Sequence, residues 1–595
     1  NAYRVYFAAR FDRPFAAFGT WWKQLLRPGS TSSADTSPVA LNYEPNPYGP
    51  GSLPGNPSST AQAGAYLTFD ARRIHTVQVK VAISYVSADA ARRNLDAEIP
   101  GWDFDAQRVA ADVAWNDLLS RAQVRGGTPS RTQMYYTALY HALLAPRTFS
   151  DADGTYIGMD GQVHSQPRRT QYADFSGWDI YRTQIPLLAM LAPGRTSDMV
   201  QSLVNNARES GCLPKWPVAN GQTNVMVGDP ADLIISGADA FGANGYDRNA
   251  AMTAMLRGAN RFCQSVGAGP YVQRQGLAEY LRLGYIPQES NSPLGNVTTV
   301  VNPAGVWGAA ATTLEYSAAD FAIAQLAERL GDRATATKFL RRSGNWRRLF
   351  NPATGYIQQR SATGAFSPGY DPASDDGFVE GSGGQYTWAV PYDVAGLITA
   401  MGGRMAATGR LDAFFSNLNA GPRSNHAYLG NEPTLGTPWL YAWLGQPYKT
   451  QRIVRDALLT LYDASPEGYP GNDDLGTISA WYVLASLGLY PAIPGTDVLT
   501  VGSPLFPHAR LRVAGNVLEI NAPGASDEAA YVQRLSLRGA CVSRPWLRWS
   551  ELTGGGRLDF TSATSPNTAW GASHSDAPPS FSTGETPAAA TIGPC

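Results

Sequence analysis

The chain carries little charge for its length and no excess of either sign. Of its 595 residues 16% are charged, with 47 Lys and Arg against 48 Asp and Glu, which leaves a net charge of -1. Such a balance produces no field that would attract nucleic acid or an anionic membrane surface. We therefore expect neither as a partner.

Long apolar runs and metal-type cysteine spacings are missing as well. The longest apolar runs fall short of the roughly 18 to 20 residues that a membrane helix needs. The chain has four cysteines, Cys212, Cys263, Cys541 and Cys595, and none forms a C-x-x-C pair. Their spacing therefore does not indicate a zinc site. Two structural disulfides in an exported protein and free buried thiols are both compatible with it.

The chain also lacks a methionine at its start and begins, at Asn1, inside an alternating pattern that is typical of a strand. Either a secretion signal and more have been removed, or the sequence starts partway through a domain. A lone strand at the first residue has no neighbour to pair with. We favour the second explanation and expect an upstream segment of the same polypeptide to complete the N-terminal domain.

The residues that are present fall into three zones, β first, α in the middle and β last. Alternating segments fill residues 1–88, apart from a Pro-, Ser- and Gly-rich stretch at 28–63 that we expect to be a long surface loop. Helical periodicity begins near Ser87, and short strands return after Pro494. The predicted domains are 1–88 (the C-terminal part of an N-terminal β domain), 89–105 (a linker with a helix), 106–495 (a helical domain), 496–575 (a C-terminal β domain) and 576–595 (a weakly ordered tail, unless Cys595 is bonded to Cys541).

The helical zone predicts helix after helix, separated by loops rich in Gly and Pro. The predicted helices cover residues 105–121, 132–144, 179–190, 197–210, 248–262, 309–330, 333–349, 392–401 and 449–461. Such a long series of paired helices indicates one large helical barrel or toroid rather than a bundle.

One loop carries two adjacent carboxylates ahead of an apolar helix. The run Gly468-Tyr-Pro-Gly-Asn-Asp-Asp474 cannot be regular structure, whereas the chain from Ser479 onward is apolar over a helical length. Asp473 and Asp474 are therefore exposed by a loop that a buried helix holds in place, which suits chemistry. Capping of the helix by these side chains is the structural alternative.

Three further loops combine acids and aromatics at the start of a helix. In one of them Glu380 stands between apolar residues and a Gly-rich turn, where desolvation would raise its pKa. In the next, Asn431 and Glu432 offer the hard oxygen atoms that Ca²⁺ prefers. The fourth loop presents three candidate binding residues: Trp178, Asp179 and Arg182.

Each loop alone also has a structural explanation, in helix caps, turn glycines and satisfied buried polar groups. Four such loops at one end of a helical barrel would instead form an acidic, aromatic cavity. Glycoside hydrolysis requires such a site, because one carboxylic acid protonates the leaving oxygen and a second carboxylate acts on water or on the sugar. The distance between the two acids decides between retention and inversion, so both outcomes stay open at this point.

Ten short segments match one known family in order along the chain. They are Tyr3-Arg-Val-Tyr-Phe, Glu98-Ile-Pro-Gly-Trp-Asp-Phe-Asp105, Tyr136-Thr-Ala-Leu-Tyr-His141, Trp178-Asp-Ile-Tyr-Arg-Thr183, Leu213-Pro-Lys-Trp-Pro217, Leu314-Glu-Tyr316, Gln385-Tyr-Thr-Trp388, Gly430-Asn-Glu-Pro433, Pro470-Gly-Asn-Asp-Asp474 and Gly502-Ser-Pro-Leu-Phe506. With these segments the chain resembles the glycoside hydrolase family 92 α-mannosidases.

The resemblance implies an α+β multidomain protein. An N-terminal β-sandwich domain, partly missing at the chain start, would pack on an (α/α)6 barrel, with the active site between them and C-terminal β segments after the barrel. The resemblance also implies exo-acting, Ca²⁺-dependent hydrolysis of α-mannosides with inversion. Mannose-containing glycans would be the partners, and we expect a secreted protein.

The resemblance further assigns roles to individual residues. Glu380 matches the general acid of the family, and Asp474, with Asp473 beside it, matches the general-base loop. In this picture Ca²⁺ would hold two sugar hydroxyls and help to distort the ring, while Asp474 positions water. The remaining matches are Trp178 and Asp179 for the mannose pocket, with Arg182 beside them, and Glu432 and Asn431 for the calcium site.

The chain departs from the family pattern beside the predicted acid. Many relatives read Glu-Gly-Asn-x-Trp-Gln-Tyr, whereas this chain reads Glu380-Gly-Ser-Gly-Gly-Gln-Tyr386. We expect Ser382 and Gly384 to open the pocket wall, and free N–H groups of this loop together with Ser382 could hold a phosphate. Some family members uncap mannose-1-phospho-6-mannose, and Gln385 in the place of the acid would strengthen that alternative.

A carbohydrate-binding protein without turnover is the alternative from another class. It would use its aromatic residues to hold glycans. Four acids speak against it, since a binder has no need of them: Glu380, Asp473, Asp474 and Glu432.

Overall fold

The computed structural model describes residues 3–23, 25–34, 63–267, 271–292 and 305–581. Most of the predicted surface loop at 28–63, the end of the predicted tail and Cys595 lie outside the described residues. The chain groups into two compact units. The smaller unit comprises Arg4–Ala111 and Ser150–Tyr156, and the larger unit includes Asp112–Phe149 and the chain from Ile157 onward.

The smaller unit contains two antiparallel sheets, one whole helix and the first part of a second helix. Its strands are β1 (Tyr6–Phe11), β2 (Ala17–Trp22), β3 (Leu25–Pro28), β4 (Ala63–Thr68) and β5 (Val79–Ser84). One sheet pairs β1 with β5, and the other has the order β3-β2-β4. The helix α1 (Ala88–Glu98) begins after Ser87, whose side chain accepts a hydrogen bond from the Ala90 N–H. The predicted helix start near Ser87 is thereby confirmed.

Helices dominate the chain from residue 104 to residue 486. Their bounds are α2 (Phe104–Leu119), α3 (Pro129–Ala142), α4 (Gly177–Ile180), α5 (Gln184–Leu191), α6 (Pro193–Ser210), α7 (Pro230–Ala240), α8 (Arg248–Asn260), α9 (Leu277–Leu283), α10 (Ala309–Arg329), α11 (Arg333–Ser343), α12 (Gly383–Tyr386), α13 (Val394–Ala400), α14 (Arg404–Phe414), α15 (Pro447–Thr460) and α16 (Thr477–Ser486), followed later by α17 (Trp549–Leu552). In α10 and α16 nearly every residue is buried.

One predicted helix is wrong as a single element. The stretch 179–190 forms two helices, α4 and α5, because the chain turns at Tyr181 and Thr183 between them. Thr183 donates its hydroxyl to the Thr477 carbonyl oxygen at 2.7 Å, which attaches this turn to the start of α16. The break therefore holds the α4 loop close to the Asp473–Asp474 turn.

Short strands complete the described chain. Their bounds are β6 (Ala122–Arg125), β7 (Arg147–Thr148), β8 (Thr155–Ile157), β9 (Val163–Ser165), β10 (Tyr172–Ala173), β11 (Pro217–Val218), β12 (Gly221–Gln222), β13 (Phe350–Asn351), β14 (Tyr356–Ile357), β15 (Leu489–Tyr490), β16 (Val498–Val501), β17 (His508–Val513), β18 (Asn516–Asn521), β19 (Tyr531–Leu537), β20 (Ala540–Cys541), β21 (Trp546–Arg548) and β22 (Gly556–Ala563). Six of them form a sheet of order β20-β19-β22-β18-β17-β6. The C-terminal strands thus pair with β6, which precedes α3 to α16 in the chain. Helices and sheets together confirm an α+β protein.

The stretch before residue 582 packs on the helices. Phe581 is buried, with its ring 4.9 Å from that of Phe321 and its N–H bonded to the Tyr392 carbonyl oxygen at 3.0 Å. The Trp443 indole donates to the Pro579 carbonyl oxygen at 3.0 Å. Residues 576–581 are therefore packed on the helices, and the rest of the predicted tail, 582–595, lies outside the described residues.

Cysteine pairing follows the disulfide alternative. Cys212 and Cys263 form a disulfide that links the segment after α6 to the segment after α8. Cys541 is also disulfide-bonded. Among the described residues, no helix combines the length and apolar character needed to cross a bilayer.

Candidate active site

The Asp473–Asp474 turn leads directly into α16. The Asp473 carbonyl oxygen accepts hydrogen bonds from the N–H groups of Gly476 and Thr477, at 3.1 and 2.8 Å. Its carboxylate accepts one bond from the Ser479 N–H at 2.7 Å and one from the Ser479 hydroxyl at 2.9 Å. Asp473 thus caps the helix, as the structural alternative predicts, and its neighbour Asp474 is left for other contacts.

Left-handed backbone fixes the positions of both predicted catalytic carboxylates. Asp474, Leu475 and Gly476 follow one another with φ of 46°, 57° and 94°, and Glu380 has a φ of 54°. Each such non-glycine residue costs on the order of 1–3 kcal/mol and persists only where its surroundings hold it. Strain of this kind concentrates at functional sites.

Glu380 combines access for a ligand with a raised pKa. The residue is exposed, so a ligand can reach its carboxyl group. Asn431 Nδ2 donates to the Glu380 carbonyl oxygen at 2.9 Å and to its Oε2 at 3.3 Å. Desolvation by the surrounding protein raises the pKa of Glu380, and the Asn431 hydrogen bond only partly opposes this effect. The predicted upward shift is confirmed, and a general acid requires it.

Three other carboxylates converge although they are distant in sequence. Asp179, Glu432 and Asp474 each bring an oxygen to within 4.8 Å of the other two. Asp179 lies in α4, Glu432 begins a short 3-10 turn, and Asp474 belongs to the turn before α16. Asp179 and Glu432 are buried, and Asp474 is half-buried. We call these three residues the carboxylate cluster.

Burial and mutual repulsion raise the pKa of every member of the carboxylate cluster. Desolvation is the largest cause at each residue. The next cause is the charge of Asp474 for Asp179, that of Asp179 for Glu432 and that of Glu380 for Asp474. The pKa rises well above its ordinary value at Asp179 and Glu432, and to about 6 at Asp474. Glu380 acts on all three, so the predicted acid and base share one electrostatic environment.

The carboxylate cluster fits a divalent cation. Both carboxylate oxygens of Glu432 are buried and accept no hydrogen bond from any residue that the structure describes. An unpaired buried acceptor of this kind is costly, and a cation among three carboxylates would turn their repulsion into attraction. Carboxylate oxygens are the donors that Ca²⁺ takes. Asp179 joins the candidate ligands, a role that the sequence did not predict.

A buried glutamate holds the α4 turn that carries Asp179. The carboxylate of Glu315, on α10, accepts hydrogen bonds from the Trp178 indole at 3.1 Å, the Tyr181 hydroxyl at 3.1 Å and Arg182 Nη2 at 3.0 Å. The sequence did not single out Glu315, although it lies within one of the ten matching segments. Its three donors all lie between Trp178 and Arg182, the stretch that contains the predicted binding residues.

Trp178 and Arg182, both predicted as substrate-binding residues, contact Glu315 in this structure. Trp178 is fully buried, so in this structure its ring supports the turn and presents no open face to a sugar. Arg182 forms an ion pair with Glu315, and its charge lowers the pKa of the nearby Glu432 against the larger effect of desolvation. Asp179 is the member of this loop that reaches the carboxylate cluster.

Ser382 and Gln385 use their side chains to build the loop. They form a capping box at the start of α12. In it the Gln385 N–H donates to Ser382 Oγ at 3.3 Å, and the Ser382 N–H donates to Gln385 Oε1 at 3.0 Å. Gln385 Nε2 also donates to the carbonyl oxygens of Gly421 and His426, at 2.8 and 3.0 Å. Both residues are buried, and the structure brings neither into the carboxylate cluster.

The expectation of an open, phosphate-binding wall beside Glu380 is wrong. The Gly383 N–H is bonded to the Ser374 carbonyl oxygen and the Gly384 N–H to the Pro372 carbonyl oxygen, so neither is free. A Cβ on Gly384 would lie 2.2 Å from Asn425 Oδ1. The glycines are there because neighbouring atoms fill the space that a side chain would need.

Two family models match this sequence. The model described as the glycosyl hydrolase family 92 catalytic domain matches residues 90–564, and that of the family 92 N-terminal domain matches residues 1–84. A curated protein of Arthroderma benhamiae, described as an uncharacterized secreted glycosidase, is 26% identical over 561 residues. The match covers 88% of this chain and 65% of that protein, so this chain spans slightly less than two thirds of its relative.

Solved structures show the same fold. The family GH92 inverting mannosidase BT2199 from Bacteroides thetaiotaomicron is 29% identical, with a TM-score of 0.84 over 98% of this chain and 76% of that one. The family GH92 α-mannosidase BT3965 from the same organism, solved in complex with mannoimidazole, is 27% identical, with a TM-score of 0.82 over 98% and 74%. Because the catalytic-domain model alone matches most of the sequence, this chain belongs to glycosyl hydrolase family 92.

Proposed function

We propose that this protein is an exo-acting α-mannosidase that hydrolyses terminal α-mannosides of glycans with inversion. The observation that carries the proposal is the convergence of Asp474, Asp179 and Glu432 within the electrostatic reach of Glu380. The two Bacteroides relatives are described as mannosidases, one of them as inverting, and the other was solved with a mannose-like inhibitor. The relative described as a secreted glycosidase supports secretion.

In this function Glu380 donates a proton to the leaving oxygen. Its raised pKa keeps a proton available, and its exposed position allows an aglycone to approach. Asp474 orients and deprotonates the attacking water from the other side of the sugar ring, as an inverting mechanism requires. Asp473 and Arg182 support the two loops that carry Asp474 and Asp179. The finer architecture that we propose for the helices is an (α/α)6 barrel, preceded by a β-sandwich domain.

A bound Ca²⁺ would supply charge that orients sugar hydroxyls and stabilises a distorted ring. Asp179, Glu432 and Asp474 are the residues that would hold it, because their oxygens already lie together and those of Glu432 have no other described partner. Asn431 stays a predicted ligand, and its amide nitrogen is directed at Glu380.

The phosphodiester-cleaving alternative has less support. Ser382, Gln385 and the N–H groups of Gly383 and Gly384 are all bonded within the protein. Glu380 is present, and a phosphate leaving group would need little protonation by such an acid. The non-catalytic alternative does not account for the repulsive carboxylates beside Glu380.

A substrate panel tests the proposal. The purified protein is offered α-1,2-, α-1,3- and α-1,6-mannobiose beside mannose-α-1-phospho-6-mannose, and released mannose is quantified while NMR records the first anomer formed. We expect release from at least one mannobiose with β-mannose formed first. Cleavage of the phosphodiester alone would favour the alternative, and glycan binding without any release would favour the non-catalytic one.

Glu380→Gln separates acid catalysis from other roles. The variant should lose activity on mannobiose but retain activity on a 2,4-dinitrophenyl mannoside, whose leaving group needs no proton. An equal loss on both substrates would show that Glu380 is not the acid. Chelation should abolish activity that Ca²⁺ restores, and full activity of the chelated protein would contradict the calcium requirement.

A further inference from the structure

A chain of hydrogen bonds runs from α3 to the Asp473–Asp474 turn. The His141 Nδ1 atom lies 3.2 Å from the Tyr469 hydroxyl, and the two rings stack with centroids 5.8 Å apart. The Tyr469 hydroxyl lies 3.1 Å from Ser479 Oγ, which lies 2.9 Å from Asp473 Oδ2. All four residues are outside the carboxylate cluster, and His141 and Tyr469 have no part in the mechanism proposed above.

The number of available protons decides which group donates in each of these hydrogen bonds. A serine hydroxyl has one proton to donate, and Asp473 in its ionised form can only accept. If Ser479 donates to Asp473, then Ser479 must accept from the Tyr469 hydroxyl, and Tyr469 must accept from a proton on His141 Nδ1. Each link then has one donor and one acceptor. Asp473 also accepts the Ser479 N–H at 2.7 Å, so its carboxylate is held at both oxygens.

We infer that His141 is a positioning residue that fixes the turn carrying Asp474, acting through Tyr469, Ser479 and Asp473. The inference rests on the proposed function, in which Asp474 is the base. Asp474 follows Asp473 directly and begins the left-handed run, so a change in the orientation of Asp473 is passed to it through one peptide bond. Small misplacements of a reacting group are costly, up to roughly 100-fold in rate for about 1 Å.

Tyr469→Phe is the variant that tests this series of hydrogen bonds, and Tyr462→Phe is its matched control. Tyr469→Phe removes the central hydroxyl but keeps the ring that stacks on His141. The Tyr462 ring lies 6.0 Å from that of Tyr469, and its buried hydroxyl has no hydrogen-bond partner among the described residues. The control therefore removes a tyrosine hydroxyl from the same environment without removing any of these hydrogen bonds.

We expect Tyr469→Phe to lower kcat on an α-mannoside roughly tenfold, with KM and the unfolding temperature unchanged, and Tyr462→Phe to leave kcat as it is. In an Asp473→Asn background, Tyr469→Phe should cause no further loss, because the chain acts only through Asp473. His141→Leu should resemble Tyr469→Phe, whereas His141→Asn, which retains a donor, should recover part of the rate. Equal kcat for Tyr469→Phe and wild type, or additive losses with Asp473→Asn, would overturn the inference.

Amide hydrogen exchange tests the chain without any substrate, so the result does not depend on mannosidase activity. Peptides that cover residues 470–480 should exchange faster in Tyr469→Phe than in wild type, because the bonds of Asp473 to Ser479 are weakened. Tyr462→Phe should exchange as wild type does. Unchanged exchange in Tyr469→Phe would refute the chain even if the wild type releases mannose, while absence of mannose release in the wild type would count against the proposed function alone.

Discussion

Replacing Glu432 by Gln should make the metal-free protein more stable and the calcium-loaded protein less stable than wild type. The pKa of Glu432 is raised well above its ordinary value of 4.5, by burial and then by the charge of Asp179. The unfolded chain therefore releases this proton at a lower pH than the folded protein does. Between the two pKa values the folded state binds more protons, so the stability of the wild type falls as pH rises.

The linkage between proton binding and folding gives the size of the difference in unfolding free energy. Within that window the wild type loses about 1.4 kcal/mol for each pH unit relative to Glu432→Gln, so the variant becomes the more stable protein in chelator as the pH rises. Calcium reverses the order, because a ligand at 100 times its Kd stabilises the folded state by about 2.7 kcal/mol. Glu432→Gln should lose most of this stabilisation by Ca²⁺, since the variant lacks one ligand charge.

Urea unfolding at pH 4.5, 5.5 and 6.5, in chelator and in Ca²⁺, measures both effects. Glu98→Gln, which neutralises an exposed glutamate of α1, is the matched control and should behave as wild type in every buffer. The reasoning is refuted if Glu432→Gln is the less stable protein in chelator at pH 6.5. The assignment of Glu432 as a ligand is refuted if the variant gains as much from Ca²⁺ as the wild type.

Three further predictions concern the base, a buried lysine and the disulfide. Asp474→Asn should lower kcat by roughly 10²–10⁴-fold with a smaller change in KM, measured on mannobiose, and an unchanged kcat would exclude Asp474 as the base. Burial lowers the pKa of Lys215 to about 7 from 10.5, so between these two values the folded state binds fewer protons than the unfolded state. The stability of the wild type should therefore rise with pH by about 1.4 kcal/mol per unit relative to Lys215→Met. Urea unfolding curves that shift in parallel for the two proteins from pH 7 to 9 would contradict this prediction. The double variant Cys212→Ala/Cys263→Ala should lose about 4 kcal/mol of unfolding free energy, because the bond closes a loop with a sequence separation of 51 residues, and an unchanged urea midpoint would argue against this contribution.

Much of the fold could be predicted because long amphipathic and apolar runs carry their own period. The helix at Ser87, the buried α10 and the strands β17, β18, β19 and β22 follow from such patterns. The sequence misses α7 because this helix has only 11 residues and its apolar run ends at Ser236 and Gly237. It also misses the pairing of β6 with β17, because partners almost 400 residues apart leave no local signal.

The site could be predicted only in its parts. A Gly-rich loop with an acid indicates exposure, and so the sequence predicts Glu380 and Asp474 as candidate catalytic residues. Asp179 as a neighbour of Glu432 and Asp474 could not be identified, since the three oxygens meet only through the packing of separate helices. The glycines beside Glu380 show the converse error. They suggest freedom and a binding loop, whereas Gly384 is required by the close approach of Asn425 and of the Pro372 carbonyl oxygen, and Gly383 by that of the Tyr370 hydroxyl.

The backbone itself links the two halves of the proposed mechanism. Glu380 and Asp474 both have positive φ, which is uncommon outside glycine, and a hydrogen bond holds the segment that carries each of them. Asn431 bonds the Glu380 carbonyl oxygen, and Ser479 bonds the carboxylate of Asp473 beside Asp474. Removing either support should therefore relax a strained residue away from the site, so that activity is lost while the free energy of unfolding changes little.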